Sequence, residues 1–176
     1  MTLLFLLSSL AAHASRYWEP DALVADAFPG ADTHTVQLDL SPADQADLRR
    51  QLGRPVPKDA YSFIEADKDG HVEGYLLFDE QKGQHEPITF AVVLSPDAVV
   101  LRQEVVVYRE RYGDGVANPR FRAQFIGKSS VDALKPGKDV DIVSGATISS
   151  VAMTVGVKRA IALTELLVAR GDTGGQ

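Results

Sequence analysis

The chain has 176 residues, a formal net charge of −6 and 45% hydrophobic residues, enough apolar material for one globular domain with a true core. The acidic balance argues against a nucleic-acid partner, because phosphate binding draws on clustered Lys and Arg. With no cysteine, disulfides, thiolate metal centres and a cysteine nucleophile are excluded.

The N-terminus is apolar from Leu3 to Ala12 and continues as Ala12-His13-Ala14, a small-x-small pattern like a signal-peptidase site. Such a run is about half the roughly twenty residues a spanning helix needs. Residues 1–14 are therefore expected to be an export signal, with an N-terminal helix docked on the core as the alternative. Export places the protein outside the cytoplasm, in the periplasm, with association to the inner membrane left open.

Residues 15–60 read as a helix and strand segment leading into the core. Pro20 to Ala27 suits a short helix stopped by Pro29-Gly30, and Thr33 to Leu40 a strand. Ser41 then stands as N-cap before Pro42 at the first helical position, and Gly53 closes that helix. From Tyr61 to Tyr112 short β-rich runs are divided by turn residues, Lys68-Asp69-Gly70 and Ser95-Pro96-Asp97 among them, which predicts an antiparallel meander. The last helix is expected from about Ser149 to Arg170, with Met153, Val157, Ala160, Ile161 and Val168 on its apolar face and Gly171 just beyond it. Residues 61–170 thus form the core of an α+β domain, a twisted, largely antiparallel sheet with a C-terminal helix packed on it, and residues 171–176 a frayed tail.

Asp141-Ile142-Val143-Ser144-Gly145-Ala146-Thr147-Ile148-Ser149-Ser150 crowds hydroxyls at the entrance of that helix. One reading needs only a cap: Ser149 or Ser150 caps the helix, Gly145 makes the turn and the other hydroxyls are solvated. It leaves Thr147 unexplained. Flanked by Gly145 and Ala146, which have no bulk to shield it, the Thr147 hydroxyl is open to modification, and a helix N-terminus offers free N–H donors to a phosphate.

Asp141 to Thr147 resembles the D-x-x-(S/T)-G-A-T pattern of FMN-binding domains, a family that includes the C subunit of the sodium-translocating NADH:quinone reductase and the G subunit of the Rnf complex. "VVYRERYGDG" is similar to that family's strand and E-x-x-G loop, and "RFRAQFIGK" to its F-x-x-x-F-x-G-K segment, so the likeness runs from Gly70 to Leu166. The resemblance implies FMN joined to Thr147 by a phosphoester, installed by a flavin transferase that cleaves FAD and uses magnesium. It further implies an electron relay that meets a redox partner, such as a membrane-embedded donor. Two departures stand out. The loop reads Glu110-Arg111-Tyr112-Gly113 where many members have Glu-Thr-x-Gly, and the membrane-bound members carry a longer N-terminal anchor.

On that resemblance the cofactor-binding candidates are Thr147, Ala146, Gly145, Ser144, Ser149, Ser150, Asp141, Glu110, Gly113 and Lys128. Arg109, Arg111, Arg120, Arg122 and Lys128 supply cations for flavin, phosphate or partner, or else a solvated strand face. Among Tyr108, Tyr112, Phe121 and Phe125, one is expected to stack on the flavin, although aromatics at strand spacing more often belong to a core. Two other signals lead nowhere in sequence. "DKDGHVE" has its glycine too early for a calcium loop, and His13, His34, His71 and His85 lack metal-ligand spacing. A flavin reductase module acting on a small acceptor, and a cofactor-free ligand-binding or sensory domain, remain rival readings.

Overall fold

The structure, a computed structural model, describes residues 14–171. The expected export signal, save Ala14, and the tail beyond Gly171 lie outside the described residues. No helix among the described residues is long and apolar enough to cross a membrane.

Six strands form one antiparallel sheet in the order β1-β6-β5-β4-β3-β2: β1 Ser15–Arg16, β2 Asp32–Asp39, β3 Ala60–Lys68, β4 His71–Lys82, β5 Pro87–Leu94 and β6 Val100–Tyr108. The meander from β3 to β6 follows the turn chemistry. Asp69 and Gly70 both take positive φ (54° and 79°), which matches the right-handed twist of the β3–β4 hairpin. The segment resembling a calcium loop is thus a two-residue turn. The two-residue β1 carries no sequence signal, and nothing local announces its pairing of Ser15 with Tyr108.

Alternation along the strands gives the sheet two apolar faces. One, with Leu76, Ala91, Val93 and Val106, is covered by α1 (Pro20–Ala27) through Leu23 and by Phe28 after it. The other, with Phe63, Leu77, Phe90 and Val105, is covered by α2 (Pro42–Leu52), by α4 (Thr147–Arg170) and by the connection between β6 and α4. That connection contains a short helix, α3 (Pro119–Arg122), and flanking 3-10 turns. Phe121 and Phe125 therefore sit on helical turns, not at strand spacing, and meet edge to face with centroids 5.5 Å apart under the sheet.

α4 crosses the strands from β6 to β2, with Ser149 at Tyr108, Arg159 at Asp79 and Arg170 at the Asp39 carbonyl. Gly156 sets how closely it lies. A Cβ there would stand 2.5 Å from the Phe90 ring, so only a glycine lets the helix backbone rest on that side chain. Farther along, the buried Arg159 guanidinium donates twice to Asp79 Oδ2, at 2.6 and 2.9 Å, while Lys58 reaches Asp79 Oδ1 at 2.7 Å. Burying these charges is tolerable because each is paired and hydrogen-bonded. Of the expected apolar face, Met153, Val157, Ala160 and Ile161 are buried and Val168 is exposed.

α2 begins as its sequence predicts, with Ser41 and Asp44 in a reciprocal capping box. Arg170 at the end of α4 also pairs with Asp44. Hydrogen bonds from Ser41 and then Arg170 lower the Asp44 carboxyl from 3.8 to about 2.

Two outcomes follow from this packing. Gly156→Val should lower the urea midpoint by the equivalent of about 1–3 kcal/mol, the cost of overpacking a rigid core, which outweighs the helix propensity, about a few tenths of a kcal/mol, that valine gains over glycine. Val168→Ala, on the exposed side, should change it little. The Asp44 contribution is fully present above its unfolded pKa and is lost as pH falls through the folded value of about 2. Asp44→Asn should therefore flatten the fall in melting temperature between about pH 4 and pH 2; an unchanged acid limb would refute this linkage.

Candidate functional site

The loop before α4 is held open by backbone conformation. Gly145 has φ 76°, a left-handed turn that glycine adopts without strain, and the Ala146 N–H donates to the Val143 carbonyl at 2.9 Å. α4 then starts at Thr147, two residues earlier than the hydroxyl pattern predicts. The capping roles expected of Ser149 and Ser150 are not the ones they perform. Ser150 Oγ donates to the Ala146 carbonyl at 2.8 Å and accepts from the Val143 N–H at 3.1 Å, which fixes the loop onto the helix from inside. Ser149 is buried against Tyr108, oxygen to oxygen 2.8 Å. The Tyr108 hydroxyl also bonds the Tyr112 carbonyl at 2.6 Å. A carbonyl only accepts and Tyr108 has one proton, so Ser149 is the donor to Tyr108.

The N-cap position of α4 is occupied by Ala146, which makes no side-chain cap. A helix of 24 residues thus begins without a side-chain acceptor for its first-turn amides, and Thr147 and Ile148 there are exposed. Free first-turn N–H groups together with the positive end of the helix dipole favour an anion at this place.

Facing Thr147 across a groove of about 230 Å³ is the loop after β6, with Gln84, Glu110, Tyr112 and Gly113 opposite Gly145 to Ser149. Gly113 has φ 91°, and a Cβ on it would stand 2.6 Å from the Tyr108 hydroxyl and 3.0 Å from Ser149 Oγ. Conformation and close approach both require glycine there. Glu110, in the groove wall, holds the β4–β5 turn by accepting the backbone N–H groups of His85 and, at 3.0 Å, Glu86. Burial works to raise its pKa, but the amides of His85, Glu86 and Gln84 outweigh it and pull the carboxyl below its ordinary value. Arg111 stands 5.6 Å over the Tyr112 ring, and Tyr112 itself is 75% exposed.

On the other side of the 141–147 loop a second cavity, about 370 Å³, is lined in part by Asn118, Arg120, Gln124, Asp141 and Ile142. The Asp141 N–H donates to Gln124 Oε1 at 2.7 Å, tying this loop to the turn after α3. Ser144 lies exposed between the two hollows.

The structure therefore gathers Thr147, Ala146, Gly145, Ser149, Glu110 and Gly113 around one groove, with Ser144, Ser150 and Asp141 shaping its loop. Lys128 is elsewhere. Its carbonyl accepts from Val100 at the start of β6, whereas Tyr108 ends that strand, and its ammonium pairs with Asp132 at 3.1 Å. Arg109 and Arg122 are likewise committed, the first to the Pro87 carbonyl and Thr89, the second to Glu104 and the Ala117 carbonyl. Arg111 and Arg120 remain exposed cations flanking the motif. Of the four aromatics weighed for stacking, Tyr108, Phe121 and Phe125 are buried, and Tyr112 alone lines the groove. Ile148 and Gln84, which sequence reasoning passes over, line it too; Gln84 comes from a hairpin turn whose proximity has no local signature.

Residues 83–162 match the family model of the FMN-binding domain. The chain is 35% identical over 112 residues to the G subunit of the proton-translocating ferredoxin:NAD(+) oxidoreductase complex of Clostridium ljungdahlii, a match covering 59% of this chain. It spans 58% of that relative's length. Among solved structures the fold resembles NqrC of Shewanella oneidensis, with TM-score 0.52 and 20% identity over 82% of this chain and 87% of that one. It also resembles the C subunit of the Na(+)-translocating NADH-quinone reductase of Parabacteroides distasonis, with TM-score 0.51 and 15% identity over 83% and 80% of the two chains. The antiparallel sheet with a C-terminal helix across it is thus the fold of these reductase components, and the matched residues hold both walls of the Thr147 groove. On sequence match and fold together, this chain carries an FMN-binding domain like those of NqrC and of the clostridial oxidoreductase component.

Proposed function

We propose that the protein is an exported, periplasmic electron carrier that holds FMN through a phosphoester on Thr147 and passes electrons between a donor, membrane-embedded or periplasmic, and an acceptor. The observation that carries this reading is the start of α4: an exposed threonine hydroxyl at the first position of a long helix whose N-cap is an alanine. A phosphate esterified to Thr147 Oγ would complete the missing cap, accepting the first-turn N–H groups where no side chain does so. Attachment by a flavin transferase is a balanced exchange on FAD. Thr147 Oγ attacks the phosphorus of the FMN half, the O–P bond forms as the pyrophosphate bond breaks, AMP departs, and the threonine proton is released.

Bound in this way, FMN would supply the electron chemistry, and the protein's own residues would do the positioning. Tyr108 and Ser149 lock the 110–113 loop to the first turn of α4, so the two walls of the groove cannot drift apart. Glu110 ties the same loop to the β4–β5 turn. Tyr112 and Ile148, both exposed, offer the apolar surface against which a flat ring can rest. Arg111 over Tyr112, and Arg120 in the neighbouring cavity, suit transient, charge-guided docking of a redox partner.

The intact mass of protein made with its transferase should show an FMN-sized adduct and a yellow absorbance that survives denaturation, and Thr147→Val should lack both. Flavin released by denaturant would assign non-covalent binding, and a protein that takes up no flavin at all would favour a cofactor-free sensory domain. Reduction of a small acceptor by the loaded protein without a partner would instead favour a reductase module. Tyr112→Ala should load normally but fluoresce several-fold more strongly than wild type, since a stacked phenol quenches flavin emission; equal emission would remove Tyr112 from the ring.

A further inference from the structure

At the end of the sheet away from Thr147, three side chains converge across β2 and β3. His34 lies directly opposite Glu65, Glu65 opposite Tyr75, Tyr75 opposite Leu94 and Leu94 opposite Val100, the start of β6. His34 Nε2 is 3.4 Å from Glu65 Oε1 and His34 Nδ1 is 3.4 Å from Asp67 Oδ2. One nitrogen or oxygen from each of the three residues falls within 4.8 Å of the others.

Two features distinguish this cluster from a surface ion pair. Glu65 is 1% exposed, yet no Lys or Arg pairs with it among the described residues. The Tyr75 hydroxyl beside Glu65 is a neutral donor to its carboxyl, yet Oε2 and His34 Nε2 remain buried atoms with no partner at hydrogen-bond distance. A buried carboxylate without a paired charge is costly, and so is each unsatisfied polar atom. The spacing is also wrong for the hydrogen bonds that would normally satisfy them. Charge-assisted N–H···O contacts lie at about 2.7–2.9 Å. Adjacent ligands around a tetrahedral cation with bonds of about 2.1 Å are separated by about 3.4 Å, the distance of His34 Nε2 from Glu65 Oε1. The Asp67 contact is made to the other ring nitrogen, so Asp67 joins the same cation only through the wider grouping, within 4.8 Å.

We propose that His34, Glu65 and Asp67 bind a divalent cation of the zinc class. One imidazole nitrogen with carboxylate oxygens suits zinc or a neighbouring transition metal, whereas calcium and magnesium prefer oxygen ligands alone. Glu65 supplies the buried, fixed ligand. His34 and Asp67, with side chains 38% and 33% exposed, leave the cation open to solvent on one side for entry and for water as a further ligand. The site shares no residue with the Thr147 groove and does not depend on flavin.

The test is a zinc titration of the chelator-treated, untagged full chain by competition with a chromophoric chelator, run on wild type and on Thr147→Val. Both should bind one equivalent with the same affinity. His34→Ala and Glu65→Gln should each weaken binding ten-fold or more, and Asp67→Asn, at a partly exposed position that does not threaten the fold, should weaken it several-fold. His71→Ala and His85→Ala should bind as wild type. Absence of stoichiometric binding overturns the proposal, and so does binding that the Asp67→Asn and His34→Ala changes leave intact.

Discussion

The structure depends on how closely α4 lies against the sheet. Gly156 lets the helix backbone meet the Phe90 ring, and Asp79 pairs with Arg159 one turn later. Those two contacts fix the height and slide of the helix, and its first turn is then delivered to the end of β6, where Ser149 meets Tyr108. A helix lifted by one methyl group would move Thr147 relative to Tyr112, because close-packed interiors pass displacement along. The geometry of an exposed groove is thus set by a buried contact farther along the same helix.

Hydroxyl groups around the groove divide between the inside and the outside of the chain. Ser149 and Ser150 are buried and commit their hydrogen bonds to Tyr108, to Ala146 and to Val143, which makes the loop rigid. Ser144 and Thr147 are exposed. A single serine cap could not both hold the loop and leave the first-turn amides open. A similar division accounts for the cations: Arg109, Arg122 and Lys128 each stabilise a local turn or strand edge, so only Arg111 and Arg120 among them remain at the surface beside the motif.

Much of this is legible in sequence where the cause is local. Ser41, Pro42 and Gly53 delimit α2, Asp69-Gly70 marks a hairpin, and the Asp141 to Thr147 stretch falls inside residues 83–162, which match the FMN-binding domain model. Sequence misleads where a tertiary partner decides. Ser149 and Ser150 look like caps, which sets the expected start of α4 two residues late, yet Tyr108 and Val143 claim them. Lys128 sits beside a matching glycine in the sequence but at the opposite end of β6 in space. Phe121 and Phe125 are four residues apart, a spacing that strand and helix share, and helical turns won. His34 shows no ligand spacing because its acidic neighbours come from the adjacent strand, and cross-strand register leaves no trace in the distance along the chain.

The edge pairing of Ser15 with Tyr108 has a geometric consequence for how the domain is presented. Tyr108 also touches Ser149, so the polypeptide enters the folded unit within one side chain of the helix turn that bears Thr147. Whatever lies upstream of Ser15 departs from the same pole as the groove, while the His34 cluster occupies the other pole. A leash attached at that point would keep the groove close to its mooring however the rest of the domain swings, much as a lamp hung by its lit end illuminates only what is near the hook.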